Sequence, residues 1–359
     1  MRHRGLFVSA SISVVLLGFS QARALVAAQA AAAGQPPGTA TTYTVPRTAF
    51  GQPDLQGVWA NNTATPFERL KEFGDRAVLT DEEVARLQKR ADEIFGSGSD
   101  AAFGDDFFKA ALADTSVAAD RSFRSFDKVT GNYSAVWMVE RQFDRRTSLV
   151  TDPPNGRIPP LTPEAQERQR QSTAVRGGGV GSADGPEDRP LSERCITFGF
   201  PDTLAGYNSY YQLVQSPASV AVLSERIHDV RVIPLDGRPH PPSSVRLWLG
   251  DSRGHWEGDT LVVDTTNFSG GSSFRGSDEN LHLVERFTRV NSTTINYEFT
   301  IDDPTVWTQP WTAMIPLTRS SDQIYEYACH EGNYALPGVL RGARLKEQSE
   351  QLPTRPGSR

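Results

Sequence analysis

Along the second half of the chain apolar and polar residues alternate with a period of two, the signature of strands with one wet face. On Ile295–Tyr297–Phe299–Ile301 the apolar side alternates with Asn296, Glu298 and Thr300. The same period predicts strands over 211–214, 220–224, 228–235, 245–249, 260–265, 283–290, 294–301, 311–317 and 323–329, with 136–143 and 147–151 before them. Short polar turns such as Glu257-Gly258-Asp259, Asn291-Ser292-Thr293 and Thr318 to Asp322 join several of these runs as hairpins. Successive strands joined in this way form an antiparallel meander. The expected fold is mainly β, a lipocalin-like barrel or a sandwich, with a few N-terminal helices. One position breaks the pattern: Glu285 falls on the apolar side with Leu281, Leu283 and Phe287. A carboxylate there is costly unless paired, so Arg or His from a facing strand is its expected partner.

Helical periodicity is confined to two places. Thr80-Asp81-Glu82-Glu83 reads as a capping box, followed by Val84, Leu87, Ala91 and Phe95 and closed by Gly96. A short helix is expected over 163–171, opening at Pro163. Residues 176–194 are almost without apolar content and read as a long loop.

The N-terminus changes the picture of where the chain works. Arg2, His3 and Arg4, an apolar run from Leu6 to Phe19 and Ala22-Arg23-Ala24 make the three parts of a secretory signal. That run falls short of the roughly 20 residues that span a bilayer, so no stable membrane insertion is expected. The organisation follows: signal peptide 1–24, flexible spacer 25–50, a single β-rich domain 51–345 and a disordered tail 346–359. Cleavage after Ala24 takes the net charge from −6 to −9, and an acidic surface argues against nucleic acid as a partner. Cys195 and Cys329 are the only cysteines, and in an exported protein an even count predicts a disulfide. The expected location is periplasmic or secreted.

Five stretches carry a resemblance: Arg189 to Cys195, Ile227 to Arg231, Gly254 to Thr260, Leu281 to Phe287 and Tyr327 to Asn333. Together they resemble a family of exported bacterial proteins without an established activity, over most of residues 53–345. The resemblance implies an exported protein and lends no catalytic residues. Gly57-Val58-Trp59 is similar to the Gly-x-Trp opening of lipocalins, which implies an up-and-down barrel around a small apolar ligand.

Candidate chemistry rests on histidine, which exchanges protons near neutral pH. His228, His255, His282 and His330 each stand in or beside an expected strand, next to an acid or a base, whereas His240 sits in a Pro-rich loop and reads as incidental. Three readings stand side by side. The histidines are structural; or one of them works with Glu285 or another carboxylate at a barrel mouth; or three of the four bind a divalent metal ion. No HxH or HExxH spacing fixes two metal ligands on one element, and no other cofactor is expected. Arg231, Trp256 and Tyr327 are candidates for lining a small-molecule pocket. The sequence also lacks a P-loop and a dinucleotide fingerprint. The expectation is an exported, cofactor-independent lyase, isomerase or hydrolase acting on a small molecule. The alternatives are a non-catalytic binder of a small apolar or aromatic ligand and a structural or surface-interaction protein.

Overall fold

The computed structural model describes residues 43–96, 108, 111–112, 141–176, 183–271 and 274–351. The expected signal peptide lies outside the described residues, as do most of the spacer and most of the expected strand 136–143. The expected alternation becomes a ten-stranded antiparallel sheet. Its strands are β1 (Gly57–Ala60), β2 (Val150–Asp152), β3 (Tyr210–Gln215), β4 (Ser219–Ser224) and β5 (Val230–Pro234). The series continues with β6 (Asp251–Glu257), β7 (Thr260–Thr266), β8 (His282–Arg289), β9 (Thr294–Asp302) and β10 (Trp311–Ser320). Along β8 and β9 every second residue is buried, so a slip of one residue would turn the whole apolar set outward. Registers such as Glu285 opposite Phe299 and Phe287 opposite Tyr297 fix the faces, and the last two rings stack at 4.7 Å.

The strand order explains where the sheet stops. β1 pairs with both β3 and β10, so the path runs in chain order as β1, β3, β4, β5, then β6 to β10 and back to β1, while β2 pairs with β10 from outside that path. Each of the eight hydrogen-bonded steps from β5 to β6 along this path is antiparallel, and an even number of reversals leaves β5 and β6 pointing the same way. Parallel neighbours cannot be joined by a hairpin and need a crossover of about a dozen residues or more. Residues 235–250 supply it, and β5 and β6 remain unpaired ends of an open sheet. They still come close. A Cβ on Gly254 would stand 2.7 Å from Ile233 Cγ2, so only glycine lets β6 approach β5 here.

The main core packs on one face of this sheet. Trp311 lies edge-on to Phe67, Phe299 and Trp307 and stacks on Phe274, and Trp59 donates from its indole to the Leu55 carbonyl at 2.9 Å. A smaller cluster of Phe73, Leu79, Leu87, Phe108 and Ala111 packs under helix α1 (Asp81–Gly96). The capping box forms as expected: the Thr80 N–H donates to Glu83 Oε2 at 2.8 Å, and the Glu83 N–H to Thr80 Oγ1 at 3.2 Å. Helix α2 (Pro163–Arg176) is longer than the sequence suggested, and Thr162 Oγ1 caps it by accepting from the Ala165 N–H.

Four boundaries differ from expectation. The stretch 323–329 is not a strand, because β10 is already paired with β9 on one edge and with β1 and β2 on the other. Val245 to Leu249 is not a strand either and forms only a single bridge, Leu247 to Phe268. The spacer ends earlier than residue 50, since Arg47 bridges to Pro53 and pairs with Asp259, within the unit that runs from Val45 onward. Residues 346–351, expected in a disordered tail, continue helix α3 (Ala335–Gln351), so one helix is C-terminal. Pairs one turn apart, Arg344 with Glu347 and Lys346 with Glu350, suit that helix. The chain between β10 and α3 is held by the expected disulfide, Cys195–Cys329, with Cα atoms 5.7 Å apart.

Candidate functional site

The expected partner of Glu285 is present, and it is an arginine. Glu285 is fully buried on β8, and Arg231 on β5 reaches it with two hydrogen bonds, Nη1 to Oε2 at 2.6 Å and Nη2 to Oε1 at 2.8 Å. The Tyr297 hydroxyl donates to Oε1 at 2.7 Å. Burial works against the Arg231 charge, but the facing carboxylate outweighs it and holds the guanidinium above its ordinary value. Burial, reinforced by Glu285, pushes the Tyr297 phenol well up. Each of the three polar groups thus has its partner inside the core. Glu285, a catalytic candidate from the sequence, and Arg231, a pocket candidate, are joined in one ion pair.

The four candidate histidines are not brought together. His228 is exposed at the end of a single 3-10 turn, Arg226–His228, in which Ile227 and His228 have φ of 53° and 46°. His255 is exposed, its Nε2 3.1 Å from Glu257 Oε1, and Glu257 is tied to Arg286 at 2.7 Å. His330 is exposed in the turn after the disulfide, where its carbonyl accepts from the Asn333 N–H at 3.2 Å. Trp256 is half-buried against the core, and Tyr327 lies edge-on to Phe198 at 6.2 Å. Among the described residues no group of three or more His, Cys, Asp and Glu could hold a metal ion, so a three-histidine centre does not form.

His282 is different, and its neighbour is the histidine the sequence reading set aside. On the outer face of the sheet, His282 Nε2 lies 2.7 Å from Asp264 Oδ2. The other oxygen, Oδ1, lies 2.9 Å from His240 Nε2, and His240 Nδ1 lies 2.7 Å from Asp251 Oδ1. The four side chains form a chain of alternating carboxylate and imidazole. The bond to Asp264 raises His282 above its ordinary value, and the bond from His282 lowers Asp264.

Comparison with family models, with curated proteins and with solved structures gives no match.

Local structure explains how this chain of groups is assembled. Asp251, Asp264 and His282 come from β6, β7 and β8, each on the side opposite the buried Ser252, Val263 and Leu283. Register does part of the work: Asp264 stands opposite Val284, one diagonal from His282. His240 arrives by the 235–250 crossover, which the parallel β5 and β6 require. Asn267 Nδ2 donates to the Pro241 carbonyl at 3.0 Å and Arg253 Nε to the Pro239 carbonyl at 3.3 Å, pinning that loop to the sheet on both sides of His240. Arg253 also pairs with Asp251 at 3.0 Å. Cross-strand geometry could have linked Asp264 to His282 from sequence. Nothing local to His240 announced its place, because its partners lie 11 and 24 residues away across a Pro-rich loop.

Burial grades the chain of groups from inside to outside. The Asp251 side chain is 13% exposed and His240 26%, while Asp264 and His282 reach 39% and 41%. The inner pair is sheltered, and the outer imidazole is open to a molecule arriving from solvent. Its Nε2 is engaged by Asp264, so Nδ1 is the atom that can exchange a proton there.

Proposed function

We propose that the chain is an exported, acid–base enzyme that moves a proton on a small polar organic molecule, with His282 as the working group. The observation that carries this reading is a single carboxylate, Asp264, shared by two imidazoles, one of which is open to solvent. Asp264 would orient the His282 ring and stabilise its charged form, as a carboxylate does for a catalytic histidine. His240, held by Asp251, would fix Asp264 in turn and keep its second oxygen from competing. Such a unit suits water activation in hydrolysis, or proton abstraction in elimination or isomerisation. The Cys195–Cys329 disulfide supports an oxidising compartment outside the cytoplasm, in keeping with the expected leader. Glu285, His228, His255 and His330 have no place in this site.

The test is turnover. The mature chain is incubated with a panel of aryl esters, lactones and β-hydroxy ketones, beside its His282→Gln and Asp264→Asn variants. Turnover of at least one class is expected, reduced by about 10²–10⁴-fold in His282→Gln, the usual share of a general acid or base. Turnover unchanged in that variant, or none with any member of the panel, overturns the reading.

A further inference from the structure

Apart from the outer face, the interior holds a cluster whose polar atoms are not all used. Arg231 gives both terminal nitrogens to Glu285, yet its Nε is buried without a partner. Beside it is a cavity of about 10 Å³ bordered by Arg231, Asp202, Tyr211, Phe287, Tyr297 and Phe200. That is room for one water at most. An unpaired buried donor next to such a space calls for an acceptor.

The wall of that space nearest Arg231 is a side chain from a loop. Phe200, between β2 and β3 and outside the sheet, lays its ring on the guanidinium with the centroid 4.1 Å from Cζ. Tyr211, Phe287 and Tyr297 supply the other aromatic surfaces around it. The preceding residue, Gly199, has φ of +80° with open space where a Cβ would be, a backbone setting that other residues rarely adopt. The chain is anchored on both sides of the ring, and on the near side the Gly199 N–H donates to Thr197 Oγ1 at 2.8 Å. Asp202 pairs with Arg226, and the Tyr211 hydroxyl donates to the Asp202 carbonyl at 3.2 Å. Phe200 is therefore a planar aromatic group seated in an aromatic-lined space, on a cation, next to an unused donor.

We propose that this seat is a binding site for a small neutral aromatic carbonyl compound, which Phe200 occupies when the ligand is absent. The ligand ring takes the place of the Phe200 ring on the guanidinium, and the carbonyl oxygen accepts from Arg231 Nε in the space that now holds the cavity. Neutrality follows from the charges at hand. Arg231 is balanced by Glu285 and Arg226 by Asp202, so an added carboxylate would be buried without a counter-charge. The site is separate from His282 and does not depend on any reaction there.

The experiment titrates the mature chain with acetophenone, with ethylbenzene, which has nearly the same shape without the oxygen, and with benzoate, following the aromatic side-chain resonances by NMR. The wild-type chain should bind acetophenone about tenfold more tightly than ethylbenzene, because only the ketone satisfies the buried donor. Benzoate should bind more weakly than acetophenone. Phe200→Ala should bind acetophenone at least about tenfold more tightly than wild type, since the resident ring no longer competes. Should that variant fail to fold, Phe200→Leu fills the space while removing the ring from the guanidinium, and the same tightening is expected in direction. Equal binding of acetophenone and ethylbenzene in Phe200→Ala would mark a plain hole of the kind any truncation creates, and would overturn the proposal. So would a wild-type chain that binds no acetophenone up to its solubility.

Discussion

Two groups of ionisable side chains sit on opposite faces of the same sheet, and only β8 carries a member of both. Inside, Arg231, Glu285 and Tyr297 are buried, and the pair meets through two short bonds. Outside, Asp251, His240, Asp264 and His282 make contacts of 2.7–2.9 Å, yet the last two are more than a third exposed. Bond lengths alone do not separate them. The surroundings do. A pair taken out of water has no other partner, so its loss is costly, and it uses arginine, which does not titrate. A pair left in contact with water is worth little to stability and uses histidine, whose proton can leave. Similar contact geometry therefore suits a strut on one face and, under the proposed function, a proton-transfer group on the other.

The sharpest way to break this contrast is at Glu285. Glu285→Gln keeps the size of the side chain and an acceptor for Tyr297, but leaves Arg231 buried without a counter-charge. The expected loss is about 3–5 kcal/mol, and it should show in urea unfolding as a lower midpoint at unchanged slope. Replacing both partners, Arg231→Met with Glu285→Leu, should recover most of that loss, because an apolar pair leaves no charge behind. A Glu285→Gln chain as stable as wild type would show that the interior pair is not a strut.

On the outer face the corresponding change should barely alter stability. His282→Gln is expected to shift unfolding by no more than about 1 kcal/mol, since exposed ion pairs contribute little. A loss as large as that of Glu285→Gln would mean that the outer group is structural too, and the functional reading would fall with it.

Much of the interior was legible in the sequence because strand geometry is local. Glu285 stands in alternation with Leu283 and Phe287, and a period of two can put it nowhere but inside. The capping box at Thr80 and the disulfide were readable for the same kind of reason, a fixed spacing or a count. The outer group was only half legible. His282 could be singled out, but Asp264 looked like one polar residue among several, and His240 looked incidental. Its position depends on the number of strands in the ring. Only when β5 and β6 are found to run the same way does a crossover at 235–250 become necessary, and that is a property of the whole sheet. The failed strand at 323–329 teaches the same lesson. Its alternation of Tyr325, Tyr327 and Cys329 suits a strand, but whether it becomes one depends on a free edge that β10 does not have.

The smallest effects test the outer group most finely, through pH. His282 is raised by its bond to Asp264, so its contribution to stability is complete below about pH 6.5, the unfolded value, and is lost as pH rises through the raised folded value. Asp264 is lowered, so its contribution is complete above about pH 3.9 and is lost as pH falls through the lowered folded value. Between those limits both contribute in full. Asp264→Asn removes the charge on which both shifts depend. Two readouts follow. In NMR titrations the His282 ring should titrate at lower pH in Asp264→Asn than in wild type. In unfolding experiments at pH 6 and pH 8, the wild type should lose stability relative to Asp264→Asn by a few tenths of a kcal/mol, the scale of an exposed pair. Raising salt toward 1 M shortens the screening length to about 3 Å and should shrink that difference, while the interior pair, away from solvent ions, should not respond. A His282 titration that is the same in both chains would show that the 2.7 Å contact with Asp264 does not persist in solution.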